Sequence, residues 1–279
     1  MKTLRQHISQ VKTLHSLNEF IEEKLYHQQV NEKLIVNKDN KGIKNNHNVF
    51  GQLKPKNNKE LHDLILNVVD KTIDNDNNYL DLGMIDVSNV EYFKELFDTY
   101  DGKLLVKFTK IDTIDVTGWD TSKAKSMYKA FTNLHEVKHI VGLEDWVVND
   151  VNDFSEMFLD CENLEDLSAV ENWDVKNAKY IYKMFMLCKK IENLNLSKWD
   201  VSSVENAEGM FSNCLELKSI GDISNWDAGT MYDISSMFYN YKKLEFTGDL
   251  NKWKLKDWIK HKDTFKNCSR KYKRPDWCR

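Results

Sequence analysis

The chain has 279 residues, a formal charge of -4, 41% hydrophobic and 11% aromatic residues, so it is long enough to bury a substantial core. No run approaches the roughly 18 apolar residues of a membrane span, and the charged N-terminus does not match an export signal, so we expect a cytoplasmic or virion-associated protein. Residues 59–251 carry a charge of -17, against +5 for 1–58 and +8 for 252–279, which excludes nucleic acid as the main partner and leaves the basic ends as candidate anion contacts.

Residues 1–36 are predicted to form a helical arm. The sequence Ser16-Leu17-Asn18-Glu19 is a capping box that begins the second of two short amphipathic helices. Helices this small need a surface to pack on, which is the repeat region described below, a second copy of the chain or another protein. Residues 37–58, rich in Asn and Lys, are predicted to be a linker.

Residues 59–80 are predicted to contain a capping helix, with Asn58 as its N-cap residue. Leu61, Leu64, Ile65 and Val68 share one face of that helix. Because the exposed edge of a first strand is a template for aggregation, we expect the helix to cover it.

Residues 81–268 contain about seven repeats of roughly 27 residues. Six units begin with a tryptophan, a phenylalanine follows each tryptophan by 12 residues, and the same offset links Ile85 to Phe97 in a divergent first unit. The tryptophans are Trp119, Trp146, Trp173, Trp199, Trp226 and Trp253. A third column, three residues after each phenylalanine, holds Cys161, Cys188, Cys214 and Cys268 among other residues.

Each unit is predicted to contain a strand, a Trp-Asp turn and one short helix. Leu194 and Leu196 alternate with polar residues before Trp199, as in a strand, and the apolar residues after it follow a helical rhythm. The helical positions are Val204, Ala207, Met210, Phe211 and Cys214. Because a lone unit cannot bury its apolar face, the units must stack, which predicts an α/β repeat fold, a leucine-rich-repeat-like solenoid. Trp258 and Phe265 are expected to close its core, and residues 269–279 to form a basic tail.

The cysteine, aspartate and histidine patterns could each suggest a metal or a disulfide. On stacked helices about 8–10 Å apart the cysteines would be too distant for disulfides, and an odd number of five favours a reducing compartment. The aspartates Asp86, Asp120, Asp174, Asp200 and Asp227 are expected to form turns and helix caps rather than a calcium site. His135 and His139 have no third zinc ligand in the sequence. We therefore predict neither a metal nor a cofactor.

The string Trp-Asp-Val-Ser-x-Val, followed by Met-Phe, Cys and Leu, is complete from Trp199 to Leu217. It resembles the repeat of BspA-like bacterial leucine-rich-repeat surface proteins, and the unit opening at Ile85 is similar to a version in gut bacteria and their phages. That resemblance implies the solenoid fold and a role in adhesion or recognition. The N-terminal Met-Lys-Thr-Leu segment resembles those that direct phage proteins into the capsid, which implies docking through the arm.

The sequence contains no phosphate-binding loop, nucleophile elbow or other catalytic motif, so we predict that the chain is not an enzyme. Aromatic residues off the core face are candidate anchors for a protein or glycan. These are Tyr128, Tyr180, Tyr182, Met186, Tyr232 and Tyr239. The other interpretation is that they pack on the N-terminal arm. The leading hypothesis is a recognition module, and the alternative is a virion structural or cargo protein.

Overall fold

The computed structural model describes residues 53–74, 77–97 and 108–278. The chain divides into two compact units, Met1–Leu53 and Lys54–Arg279. The predicted arm and most of the predicted linker lie outside the described residues. Docking through that arm, and the virion role that depends on it, therefore stay predictions.

Helix α1, Asn58–Asp74, lies where the apolar spacing predicted a helix, and it packs beside the first strand. Leu61, Leu64 and Ile65 are fully buried on its inner face. The cap differs from the prediction by one residue, since the Asn57 side chain accepts the Glu60 N–H at 3.0 Å. Asn58 instead donates its side-chain amide to the Lys94 carbonyl at 2.9 Å. None of the helices in the described ranges is long and apolar enough to cross a membrane.

Three short strands form a parallel sheet in the order β1-β2-β3. They are β1 Tyr79–Asp81, β2 Thr113–Asp115 and β3 His139–Val141. Leu80 pairs with Ile114, and Ile114 with Ile140, so one buried apolar column runs across the sheet. Later units continue the parallel pairing as single bridges, Asn193 with Ser219 and Ser219 with Phe246. Four short 3-10 helices complete the described elements: η1 Leu143–Asp145, η2 Ser168–Asn172, η3 Leu250–Lys252 and η4 Asp276–Cys278.

The short helix predicted in each unit is wrong for the described repeats, where turns take its place. In one unit, Lys183 and Leu187 have φ of 53° and 65°, and left-handed residues cannot continue a right-handed helix. Alternate N–H groups donate to the next unit instead, as from Lys183 to the Glu208 carbonyl at 2.8 Å. The intervening ones donate three residues back, as from Met184 to Ile181. The regularly spaced apolar side chains are buried as predicted, but a coil of turns places them in the core rather than a helix.

A second line of parallel bridges follows the turns. It joins Tyr92, Ser126, Asp153, Tyr180, Asn206, Asp233 and Lys260 in that order. Equivalent residues of successive units therefore form columns. In the core, the phenylalanine rings from Phe97 to Phe265 stack with centroids 4.9 to 5.9 Å apart.

Tryptophan forms a parallel column that is tied to the backbone. In six of the seven tryptophans of this column the indole Nε1 donates to a carbonyl of the preceding unit, as from Trp173 to Leu143 at 3.0 Å. The same bond is made by Trp119, Trp199, Trp226, Trp253 and Trp277. Trp146 is the exception, because its buried Nε1 has no partner. The indoles therefore fix the spacing of units at every level except that one.

The C-terminal end matches the prediction for Phe265, which is buried, but not for Trp258. Trp258 is 61% exposed and does not close the core. Trp277, in η4, stacks on Trp253 at 6.2 Å, and Tyr272 stacks on Phe265 at 5.3 Å. Residues 269–278 are thus an ordered cover rather than a basic tail, because their aromatic residues extend both core columns by one level.

The unpaired indole of Trp146 makes a testable difference. Trp173→Phe removes a buried hydrogen bond, whereas Trp146→Phe removes a buried donor that has none. Loss of the hydrogen bond in Trp173→Phe costs about 1 kcal/mol of unfolding free energy, whereas Trp146→Phe removes an unsatisfied buried donor whose burial costs about as much. Trp173→Phe should therefore be more destabilising than Trp146→Phe by at least ~1 kcal/mol. Urea unfolding measures both, and equal losses would contradict the assignment.

The C-terminal cover makes a second prediction. Trp277→Ala should lower the free energy of unfolding by about 2 kcal/mol, since it removes a stacked and hydrogen-bonded ring. Trp258→Ala is the matched control and should change it by less than ~0.5 kcal/mol, as is usual at exposed positions. Thermal and urea unfolding test the pair. A larger loss of unfolding free energy in Trp258→Ala than in Trp277→Ala would indicate that Trp258, and not Trp277, closes the core.

Candidate binding surface

Three of the six residues predicted to bind a partner lie on neighbouring columns. Tyr180 is in the bridged column that begins at Tyr92, while Tyr128 and Tyr182 lie two residues beyond that column in alternate units. Between them stands Ser155, which is small and buried, so the two phenols approach each other. Burial, followed by the proximity of Tyr128, raises the pKa of Tyr182 to about 12.

Tyr92 belongs to this surface although the sequence analysis did not select it. Its side chain is 47% exposed, whereas Tyr128, Tyr180 and Tyr182 are half-buried. The 34-residue step between the first two units hid its register, but the 12-residue offset from Ile85 to Phe97 places it in the same column. We call Tyr92, Tyr128, Tyr180 and Tyr182 the tyrosine surface.

Lysines lie over the rings of this surface. Lys94 is 5.3 Å from the Tyr92 ring centroid, and Lys129 is 5.1 Å from that of Tyr128. Lys183 is 5.9 Å from the centroid of Tyr182. Cation–π contacts of this kind hold an aromatic ring in one orientation. The tyrosine surface is therefore amphipathic, with apolar rings, hydroxyl groups and positive charge in close succession.

The charges beside the rings alternate from unit to unit. Glu95, Lys129, Glu156 and Lys183 occupy one column, each with a positive φ. Lys129 lies 3.8 Å from Glu95 and 3.6 Å from Glu156. Burial acts to lower the pKa of Lys129. The hydrogen bond with Tyr128 and the two carboxylates outweigh burial and raise the pKa of Lys129 above its usual value. The alternation ties consecutive units together at the surface.

The remaining predicted residues lie elsewhere in the unit. Tyr232 precedes the bridge residue Asp233, and Met186 and Tyr239 each follow a phenylalanine of the buried core column. All three are half-buried. The structure therefore separates the six predicted residues into distinct columns, because positions that share a helical face need not share a face of a coil.

The aspartate column forms turns, as the sequence indicated, but caps no helix. Asp200 accepts the Ser202 N–H at 3.0 Å and the Ser202 hydroxyl at 2.6 Å. Those bonds lower the pKa of Asp200. The other four close the same two-residue turn, and they are Asp86, Asp120, Asp174 and Asp227. A local turn therefore accounts for the whole column.

The histidine pair does not converge on one point. His139 lies 3.9 Å from Glu165, whereas His135 lies 3.8 Å from Asp160. Side-chain atoms of His135, Asp160 and Glu162 that could ligate a metal lie within 4.8 Å of one another. The sequence did not indicate this group, because His135 is 25 residues from Asp160. Lys189 hydrogen-bonds Glu162 and lowers its pKa, while burial raises the pKa of Asp160. The Lys189 ammonium therefore pairs with one of the two carboxylates of this group.

Cys161, Cys188 and Cys214 form a buried column of free thiols, which the half-buried Cys268 continues. The expected helix spacing was wrong, because units pair like parallel strands, which lie about 4.8 Å apart. Each thiol instead donates to a phenylalanine carbonyl of the preceding unit, as from Cys161 to Phe131 at 3.0 Å. Cys188, Cys214 and Cys268 make the same bond. A small side chain with one donor fits this position.

Comparison with known proteins finds one family. The family described as "Mycoplasma protein of unknown function, DUF285" matches three overlapping segments, residues 66–193, 102–221 and 159–277. No curated protein and no solved structure matches the chain. The matches confirm that residues 66–277 form a repeat protein, while the finer resemblance to BspA-like proteins stays a prediction.

Thiol labelling tests the buried column. Burial raises the pKa of Cys161 and Cys214 to about 12 and raises the pKa of Cys188 well above its usual value, so these three thiols should be unreactive in the folded protein. Cys268 and Cys278 are half-buried and should be alkylated first. Mass spectrometry after brief maleimide treatment at neutral pH gives the order. Urea-unfolded protein, in which all five should react, is the control, and early labelling of Cys188 would contradict the arrangement.

Proposed function

The chain belongs to the family described as "Mycoplasma protein of unknown function, DUF285", and we propose that it is a non-enzymatic recognition module that holds a protein or glycan. The tyrosine surface is the observation that carries this proposal. Four rings on adjacent columns offer a partner a wide, partly rigid contact area. Lysines over three of them add positive charge.

The proposed scaffold is a leucine-rich-repeat-like solenoid with turns in place of helices. Parallel bridges between equivalent residues and stacked core rings support it, as does the resemblance to BspA-like repeats. In such an array each unit contacts its neighbours, and side chains on one column form a continuous surface. Tyrosines on two adjacent columns of this scaffold therefore form an extended binding site rather than a pocket.

Tyrosine suits recognition for energetic reasons. It buries a large area, loses little conformational entropy because it has only two side-chain torsions, and keeps a hydroxyl for hydrogen bonding. The lysines and the Tyr128–Tyr182 contact already restrict the rings before binding. Binding by restricted side chains costs less entropy, which favours affinity.

A non-enzymatic role is supported by what the conspicuous residues do. The cysteines bond to carbonyls inside the core and the aspartates close turns. The cysteine and aspartate patterns, which could have suggested chemistry, thus have a structural use in the described residues. This leaves surface recognition as the role that fits the tyrosine surface best.

The double variant Tyr180→Ala with Tyr182→Ala tests the proposal. We expect it to weaken partner binding about tenfold or more, since central aromatic anchors contribute most of the binding energy. Immobilised wild-type and variant chains are compared on glycan arrays and in quantitative pull-downs from the cells that express the protein. The melting temperature shows whether the variant remains folded.

Trp258→Ala is the matched control, because Trp258 is also an exposed aromatic with a lysine, Lys256, 5.0 Å from its ring centroid. It should retain the same ligands as the wild type. Equal retention by the double variant would overturn the tyrosine surface as the binding site. Equal loss in the control would indicate non-specific adhesion through aromatic residues.

A further inference from the structure

The last unit has backbone donors for which the described residues offer no acceptor. In the unit before it, alternate N–H groups of Ile234, Ser236, Phe238 and Asn240 donate to carbonyls of the last unit. The bonds are 2.8 to 2.9 Å long, and their acceptors are Lys260, Lys262, Thr264 and Lys266. The equivalent donors of the last unit belong to His261, Asp263, Phe265 and Asn267. None of the described residues forms a further unit that accepts from them.

Only one of these four donors is covered. The Phe265 N–H faces the sulfur of Cys278, while those of His261, Asp263 and Asn267 have no acceptor in the described part of the chain. The intervening N–H groups are bonded inside the unit, as from Lys266 to Asp263 at 3.0 Å. The open donors therefore point the same way, outward from the end of the repeats.

A groove of about 470 Å³ lies at these donors. It is lined by residues 261–267 together with Arg274 and Cys278. Lys262, Lys266 and Arg274 bring three positive charges, against the single carboxylate of Asp263, which is 3.3 Å from the Lys266 ammonium. The groove is positive in both its side chains and its backbone.

The backbone conformation of the last unit repeats that of the unit before it. Asp263 and Asn267 have φ of 59° and 60°, close to the 55° and 59° of Ser236 and Asn240, the equivalent residues one unit earlier. The N–H groups of residues 263 and 267 therefore keep the direction in which Ser236 and Asn240 donate to the following unit. The opposite end of the repeats differs, because there Asn58 of α1 donates to the Lys94 carbonyl.

We propose that this groove binds an oxyanion, a phosphate or carboxylate group, through the open N–H groups of residues 261, 263 and 267 and the charges of Lys262, Lys266 and Arg274. Tyr272 and Trp277 cover the neighbouring aromatic columns and leave the groove open beside them. An anion supplies the acceptors that a following unit supplies elsewhere. The site is independent of the tyrosine surface.

The full-length chain is titrated with inorganic phosphate and, separately, with acetate, in chloride buffer at constant ionic strength. Two-dimensional NMR should show saturable shifts of the amide signals of His261, Asp263 and Asn267. The anion that saturates at lower concentration identifies which source the groove prefers. Absence of saturable shifts with both anions would overturn the proposal.

Variants separate a built site from general attraction to positive charge. Arg274→Gln should weaken binding about tenfold, the loss expected for one charge-assisted hydrogen bond. Arg270→Gln removes an exposed charge that does not line the groove and should leave binding unchanged. Equal losses in the two would overturn the site in favour of non-specific ionic attraction.

Asp263→Asn gives a result of opposite sign and does not depend on loss of function. It removes the one carboxylate that repels an anion, and asparagine tolerates a positive φ, so binding should become tighter with the fold unchanged. Weaker or unchanged binding would overturn the role given to the groove charges. The Tyr180 and Tyr182 double variant should bind phosphate normally, so failure of one site is distinguishable from failure of the other.

Discussion

Each repeat in this protein completes its backbone hydrogen bonds in the repeat that follows. Alternate N–H groups around the core phenylalanine donate to the next unit, and the intervening ones return to their own. That division determines the register, because a shift by one residue would exchange the two sets. It also forbids a helix, in which every N–H would bond within the unit. The turns, the columns and the open groove all follow from this constraint.

Column formation explains why side chains of such different chemistry recur at the same period. The tryptophan indole and the cysteine thiol each donate to a carbonyl one unit back, so both tie the side-chain core to the backbone ladder. At the surface, Glu95, Lys129 and Glu156 achieve a similar cross-link by charge. Buried and exposed columns thus perform the same task with different groups.

Much of this arrangement could be predicted from the sequence, since period and hydrophobic spacing identify buried positions whichever backbone conformation carries them. Val204, Ala207 and Phe211 are buried as expected although no helix forms there. The backbone conformation could not be predicted, because the spacing suits a helix and a coil equally. Trp277 escaped notice because it follows Trp253 by 24 residues rather than 27, within a segment whose basic residues suggested a tail. The open N–H groups have no signature in side chains at all.

The uniform bonding between units has a consequence for how such a chain changes length. Insertion or deletion of one whole repeat leaves α1 and the C-terminal cover with neighbours of the same kind, and every column stays in phase. A partial repeat would place polar residues in the tryptophan and phenylalanine stacks. Unequal recombination between repeats within the coding sequence is therefore tolerated only in steps of about 27 codons.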